Sequence, residues 1–334
     1  MKILVTGSAG FVGFHLSKCL LEKGYDVLGI DGLTDYYDVK LKLKRNQILL
    51  QTEKYQFKQL MLEDFSELSA LCEAYEPDII VHLAAQAGVR HSINNPRDYL
   101  ESNIVGTFNI MEIAKLFEVK HLLMASTSSV YGANTEMPFL EVENVCTPLT
   151  FYAATKLANE SMGHSYANIY NLPITMFRFF TVYGPWGRPD LALYKFVDSI
   201  LSNRPIDVYN MGDMYRDFTY VDDLVRSIAE LMNVIPSAED IGKYDGDSLS
   251  HVAPYRVVNI GNGTKVRLTE FIDAIEEYLG IGAVRNLLPM QQGDVPATWA
   301  DTQLLEQLIG MKPQTDIKTG IARFIDWYRS YKDI

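Results

Sequence analysis

The first thirteen residues constrain this chain more than any other stretch. MKILV is a short apolar strand, TGSAGFVG is a turn with glycines at positions 7, 10 and 13, and an amphipathic helix opens directly behind it. Glycines at such spacing are informative only in that strand–turn–helix setting. Gly7 permits the tight turn, Gly10 lets backbone approach a pyrophosphate, and Gly13 lets helix and sheet pack closely, leaving an anion over the helix N-terminus. Phe11 and Val12 complete the cofactor-binding turn. Asp31 ends the next apolar run, about 20 residues on, where a carboxylate bonds both ribose hydroxyls and repels a 2′-phosphate. The pattern predicts a site for NAD rather than NADP.

Short apolar runs then recur between helix-length segments: Phe57–Leu60, Ile79–Leu83, Leu122–Ala125 and Ile174–Phe179. This rhythm belongs to a parallel sheet covered on both faces, a doubly wound α/β Rossmann core. Residues 1–180 are read as that cofactor domain. After Thr181 the rhythm breaks at a Gly/Pro-rich turn, and 181–334 reads mainly as a smaller C-terminal substrate-binding lobe. Some of its segments are expected to return to the core, with Arg256–Ile260 as a returning strand. Helices are expected near 191–201, over 268–279 and over 317–331.

Composition narrows the partners. With 334 residues, 48% of them hydrophobic, the chain can bury a substantial core, and a formal net charge of −12 supplies no basic stripe for nucleic acid. Cys19, Cys72 and Cys146 form neither an even set nor a CxxC pair, which argues against a disulfide framework and a zinc site. No apolar run reaches the roughly 18 residues of a membrane span. A cytoplasmic enzyme with a small-molecule site is expected, without a metal.

Chemistry-bearing residues gather at predicted carboxyl ends of strands, the edge where doubly wound sheets bind ligands. Ala84 and Ala85 follow the fourth strand. Asp64 follows the third, where it can reach an adenine amino group or simply begin a helix. Ser126, Thr127, Ser128 and Ser129 follow the fifth, and hydroxyls both donate and accept, as an alcohol turning into a ketone requires. Tyr152 and Lys156 in YAATK lie four apart, on one helix face. Tyrosine has an ordinary pKa of about 10, so it becomes a base near neutrality only where positive charge stabilises the phenolate. Lys156 and an oxidised nicotinamide would supply that charge.

TGSAGFVG, DYYDVKLK, HLAAQAGVRHSI, STSSVYG, YAATK, RFFTVYGPWGRPD, YRDFTYVDD and GDVPATWAD together resemble the extended short-chain dehydrogenases acting on nucleotide sugars, and within them the UDP-glucuronate 4-epimerases. The resemblance spans essentially the whole chain. It implies Tyr152 as base and acid, Lys156 as its electrostatic partner and ribose ligand, and Thr127 as a second hydroxyl on the sugar O4. Asn103 would support them. Arg216 and Asp294 would bind the nucleotide, while Arg188, and more weakly Arg90, would lie near the sugar or its phosphates. A homodimer through helices near 96–117 and 152–170, and a place in polysaccharide biosynthesis, are also implied.

Departures from related branches shape the expected substrate. Thr181 stands where galactose epimerases carry asparagine, and Gln291 where they carry arginine. Ser128 and Ser129 replace the acids of the dehydratase and decarboxylase branches, so the groups that would remove water or a C5 proton are missing. Ser128, Ser129 and Thr181 are expected to hold a uronate carboxylate. The expected reaction is NAD-dependent 4-epimerisation of UDP-glucuronate to UDP-galacturonate through a 4-keto sugar. Competing readings are another nucleotide-sugar epimerase, a decarboxylase or a reductase on the same scaffold, and an NAD-binding regulator without turnover.

Overall fold

The computed structural model describes residues 1–334. The six early strands are β1 (Lys2–Thr6), β2 (Asp26–Asp31), β3 (Tyr55–Gln59), β4 (Ile79–His82), β5 (His121–Thr127) and β6 (Ile174–Phe179). Then β7 (Thr181–Tyr183), β8 (Ile206–Val208) and β9 (Tyr215–Tyr220) leave the sheet, and β10 (Tyr255–Ile260) returns to it beside β6. The sheet order is β10-β6-β5-β4-β1-β2-β3, parallel at every pairing. Strand order reverses between β1 and β4, and a crevice opens beyond their carboxyl ends, where doubly wound folds take ligands. The predicted returning strand is thus in place.

Helices cover both faces. They are α1 (Phe11–Glu22), α2 (Val39–Leu49), α3 (Phe65–Tyr75), the short α4 (His91–Asn94) and α5 (Pro96–Tyr99), α6 (Gly106–Leu116) and the long α7 (Phe151–Tyr170). A π-helical turn, Leu100–Val105, joins α5 to α6. From the second half come α8 (Ala192–Leu201), α9 (Val221–Leu231), α10 (Leu268–Leu279), α11 (Gln303–Ile309) and α12 (Ile317–Lys332). One apolar cluster lies under α1, α9 and α11, and a second under α3 and α6 on the opposite face. Because the strands are buried on both faces, their sequences are near-continuous apolar runs.

The remaining elements form the smaller lobe. β9 pairs with β7, with β13 (Ala297–Thr298) and antiparallel with β11 (Lys265–Arg267), while β8 pairs with β12 (Arg285–Leu287). A third core, including Phe218, Phe271, Phe324 and Tyr328, binds α8, α10 and α12 to these strands. With α9 and α11 packed on the Rossmann sheet, the late chain serves both lobes. No helix is long and apolar enough to cross a membrane.

Candidate active site

A cleft of about 410 Å³ runs along the carboxyl edge of the sheet, and its wall includes Gly7, Gly10, Phe11, Val12 and Gly13. Gly7 adopts φ +72°. A methyl group at Gly13 would fall 2.0 Å from the Gly7 carbonyl oxygen, so the turn closes onto α1 only with glycine there. Gly10 caps α1 without a side-chain hydrogen bond, and the first turn of α1 holds no acid. Its amide groups therefore face the cleft without a competing carboxylate, as an anion requires. Gln86, also in the wall, has a buried amide nitrogen without a partner. These features fit a dinucleotide.

Beside this turn Asp31 accepts hydrogen bonds from the Ala9 amide at 3.1 Å and the Leu33 amide at 2.8 Å. The carboxylate is thereby fixed in the wall. Lys42 lines the same cleft, its ammonium donating to the Thr34 carbonyl and hydroxyl at 2.7 and 3.1 Å. Burial pushes the Lys42 ammonium below its ordinary range, with Asp31 opposing. Ala84 and Ala85 also face the cleft. Asp64 does not: its side chain caps α3 by accepting the Glu67 amide at 3.0 Å, and Glu63 lines the cleft instead. A free helix N-terminus nearby drew the carboxylate away from the cleft.

Tyr152, Lys156, Thr127, Ser128, Ser129, Thr181 and Arg188 converge further along this cleft. Thr150 caps α7, placing Tyr152 in its first turn, where the helix dipole favours negative charge. Burial raises the Tyr152 phenol, while the Thr127 hydroxyl and the Arg188 charge pull it down. Lys156, 2% exposed, is pushed down to about 8 by burial, with Glu160 opposing, and donates to the Ala125 carbonyl at 2.9 Å. Asn103, in the π-helical turn, accepts from the Gln86 amide at 2.8 Å. It also donates to the Gln86 carbonyl and to Thr155, which is next to Lys156. It braces the loop after β4 against α7.

Beneath the pair lies a polar network that the sequence did not announce. Arg178 on β6 grips both oxygens of Glu160 on α7, at 3.1 and 2.8 Å, and Ser126 donates to the same carboxylate at 2.5 Å. Both charged side chains are nearly inaccessible. Paired charges tolerate such burial, and the pair ties β5, β6 and α7 together.

A second cavity, of about 660 Å³, opens toward the smaller lobe and includes Arg216 and Asp294 in its wall. Arg216, on β9, donates to the Tyr215 carbonyl at 2.9 Å. Arg90 bonds Asp294 at 3.1 Å and lies over the Tyr209 ring at 5.0 Å, spanning the two lobes. Gln291, in the loop before Asp294, keeps a buried, unpartnered carbonyl oxygen. The walls of the two cavities share three residues, Ser128, Ser129 and Thr181. Thr127 is partly engaged in its own turn, accepting the Ser129 amide at 3.2 Å. Arg188 faces the cofactor cleft and is already paired with Asp190, its Nε donating at 2.9 Å, beneath Tyr36. Asp190, Tyr36 and Lys42 are site neighbours that sequence reasoning missed; the RPD and DYYDVKLK segments were their only signal.

A Rossmann cleft with a fingerprint turn, an aspartate fixed in the wall at the end of β2 and a tyrosine–lysine pair at one sheet edge defines a dinucleotide-dependent enzyme of the short-chain dehydrogenase kind. Residues 3–261 match the family model described as the NAD dependent epimerase/dehydratase family, and the chain belongs to that family. It is 52% identical over 330 residues to a probable UDP-glucuronate 4-epimerase of Rhizobium meliloti, covering 98% of this chain and 97% of that one. UDP-glucuronate 4-epimerase 1 of Arabidopsis thaliana is 42% identical, covering 99% of this chain and 77% of the plant protein. The crystal structure of UDP-glucuronic acid 4-epimerase from Bacillus cereus in complex with UDP-glucuronic acid and NAD superposes with a TM-score of 0.87. It is 31% identical and covers 99% of this chain and all of that one.

Proposed function

We propose that this protein epimerises UDP-glucuronate to UDP-galacturonate at C4, with NAD held in the cleft and regenerated in each cycle. One observation carries the choice among reactions of the fold: the residues shared by the two cavities are hydroxyls alone, Ser128, Ser129 and Thr181. NAD bound in the cleft would take the C4 hydride and return it to the opposite face of the sugar. Tyr152 takes the O4 proton, Thr127 orients that oxygen, and Lys156 stabilises the phenolate and holds the nicotinamide ribose. Residues 1–180 supply this machinery, whereas 181–334 mainly hold the UDP moiety through Arg216 and Asp294 while the sugar turns over.

A ketone at C4 beside a carboxylate on C5 is a β-keto acid, prone to lose carbon dioxide when the carboxylate bond aligns with the ketone π system. Ser128, Ser129 and Thr181 hold the carboxylate out of that alignment. Short hydroxyls release as the sugar rotates, while a bidentate arginine clamp would fix one pose; Arg188, tied to Asp190, plays a supporting part. Incubation with a panel of UDP-sugars, without added reductant, and NMR of the products tests the reading. UDP-galacturonate from UDP-glucuronate is the expected result. Preference for UDP-glucose overturns the uronate assignment, and a pentose product would make the protein a decarboxylase.

The protein acts in the cytoplasm as a homodimer and feeds polysaccharide biosynthesis. Leu100, Val105, Phe108 and Leu116 on the π-turn and α6, with Phe151, Ile169 and Tyr170 on α7, leave large apolar side chains exposed for such a contact. Sedimentation at micromolar concentration should give a dimer, and Phe108→Glu should shift it toward monomer; a parent monomer counts against the assembly.

A further inference from the structure

The segment Asp35–Arg45, DYYDVKLKLKR, takes no part in the proposed chemistry. It runs along the cofactor cleft, where Tyr37 and Lys42 stand in the wall. Its last residue, Arg45, is fully buried. The guanidinium donates to the Ala9 carbonyl inside the fingerprint turn at 3.0 Å, to the Tyr37 hydroxyl at 2.7 Å and to the Trp186 carbonyl. All three acceptors are neutral, and Nε has no partner at all. A permanently charged group has therefore been taken out of water with no carboxylate in hydrogen-bond contact, Asp31 acting on it only from across Ala9, an arrangement that a further anion nearby would relieve.

What Arg45 joins matters as much as its charge. Ala9 lies one residue before the cap of α1, where the pyrophosphate seat begins. Trp186 lies two residues before the cleft-lining Arg188, with φ +60° and its ring against Phe14 of α1 and Trp327 of α12. Tyr36 closes the same ring of contacts by donating to Asp190 at 3.3 Å. We infer that Arg45 is a positioning residue that makes NAD non-exchanging, by clamping the fingerprint turn to the Trp186–Asp190 segment and by presenting a buried charge that the pyrophosphate neutralises. The inference rests on the proposed occupation of the cleft by NAD. An enzyme that parks a hydride on its cofactor in mid-cycle needs such retention, because loss of the reduced dinucleotide would strand the keto sugar.

The test uses the protein as purified, with no sugar present. NAD content per protomer and the exchange rate of bound NAD against isotopically labelled NAD are measured for the parent, Arg45→Met, Arg45→Lys and Tyr37→Phe. Arg45→Met should exchange at least about tenfold faster and lose occupancy, Arg45→Lys should fall between, and Tyr37→Phe, which removes one acceptor, should exchange about threefold faster. UDP affinity, measured by calorimetry, should stay within about twofold in each variant, because the second cavity does not touch the clamp. A general structural role would weaken NAD and UDP binding in step. The inference is overturned by that result, or by exchange within about twofold of the parent in Tyr37→Phe and in any folded Arg45→Met. If Arg45→Met does not fold, Tyr37→Phe alone decides. A parent that holds no NAD would sink the cofactor reading itself, while product identity is decided separately by the UDP-sugar panel.

Discussion

Replacing Lys156 by methionine should abolish turnover and yet stabilise the NAD-free protein at neutral pH. Burial holds the Lys156 ammonium near about 8, against an ordinary value of 10.5. The fold therefore disfavours the charged form by about 3 kcal/mol. For a base whose folded-state pKa is depressed, that penalty is fully present below about pH 8. It fades as the pH approaches 10.5, where the unfolded lysine also loses its proton. Methionine fills similar space without the charge, but forfeits the hydrogen bond to Ala125, worth about 1 kcal/mol. The net expectation is a gain of about 2 kcal/mol at pH 7, or about 3 °C in apparent Tm for a chain of this size. By about pH 10 the gain should be gone. Thermal and urea unfolding of parent and variant, both stripped of NAD, at the two pH values provide the measurement. A variant destabilised at pH 7, or one whose difference ignores pH, would refute the claim that Lys156 is held charged against its surroundings for catalysis.

Tyr152→Phe, which removes only the phenolic oxygen, should retain NAD and fold normally while losing about 10²–10⁴ in rate, and activity within a few-fold of the parent would remove Tyr152 from the chemistry. Thr181→Ala or Ser128→Ala should raise the fraction of UDP-glucuronate lost to a pentose product, read by NMR; an unchanged product ratio would leave these hydroxyls as wall lining only. The parent should prefer NAD, and Asp31→Ser should move the NADP/NAD binding ratio toward NADP by about tenfold or more, because Lys42 stays beside the vacated carboxylate. Equal binding of both cofactors by the parent would show that Asp31 does not face the ribose.

The local features of this protein were legible in its sequence. A strand, a glycine turn and a helix are contiguous, so the spacing of Gly7, Gly10 and Gly13 already fixes which backbone groups line the cleft. Tyr152 and Lys156 lie one helical turn apart, so a single period places both on one face. The buried strands announced themselves as apolar runs, including β10, because burial on both faces leaves no polar alternation to read. Asp64 shows the limit of this reading, since whether a carboxylate reaches into a cleft or back to its own helix depends on a side-chain torsion that spacing does not encode.

Tertiary structure decided the rest. Arg45 meets Trp186 across 141 positions, Arg90 meets Asp294 across 204, and Arg178 reaches Glu160 from a neighbouring strand. Nothing periodic links such partners. Their pairing follows from how loops settle once the sheet and helices have packed, and a buried guanidinium or carboxylate takes the acceptors or donors that this packing leaves within reach. The meeting of Ser128, Ser129 and Thr181 between two cavities is of the same kind. β5 and β7 place the hydroxyls, but only the docking of the smaller lobe against the Rossmann core makes the second cavity they face.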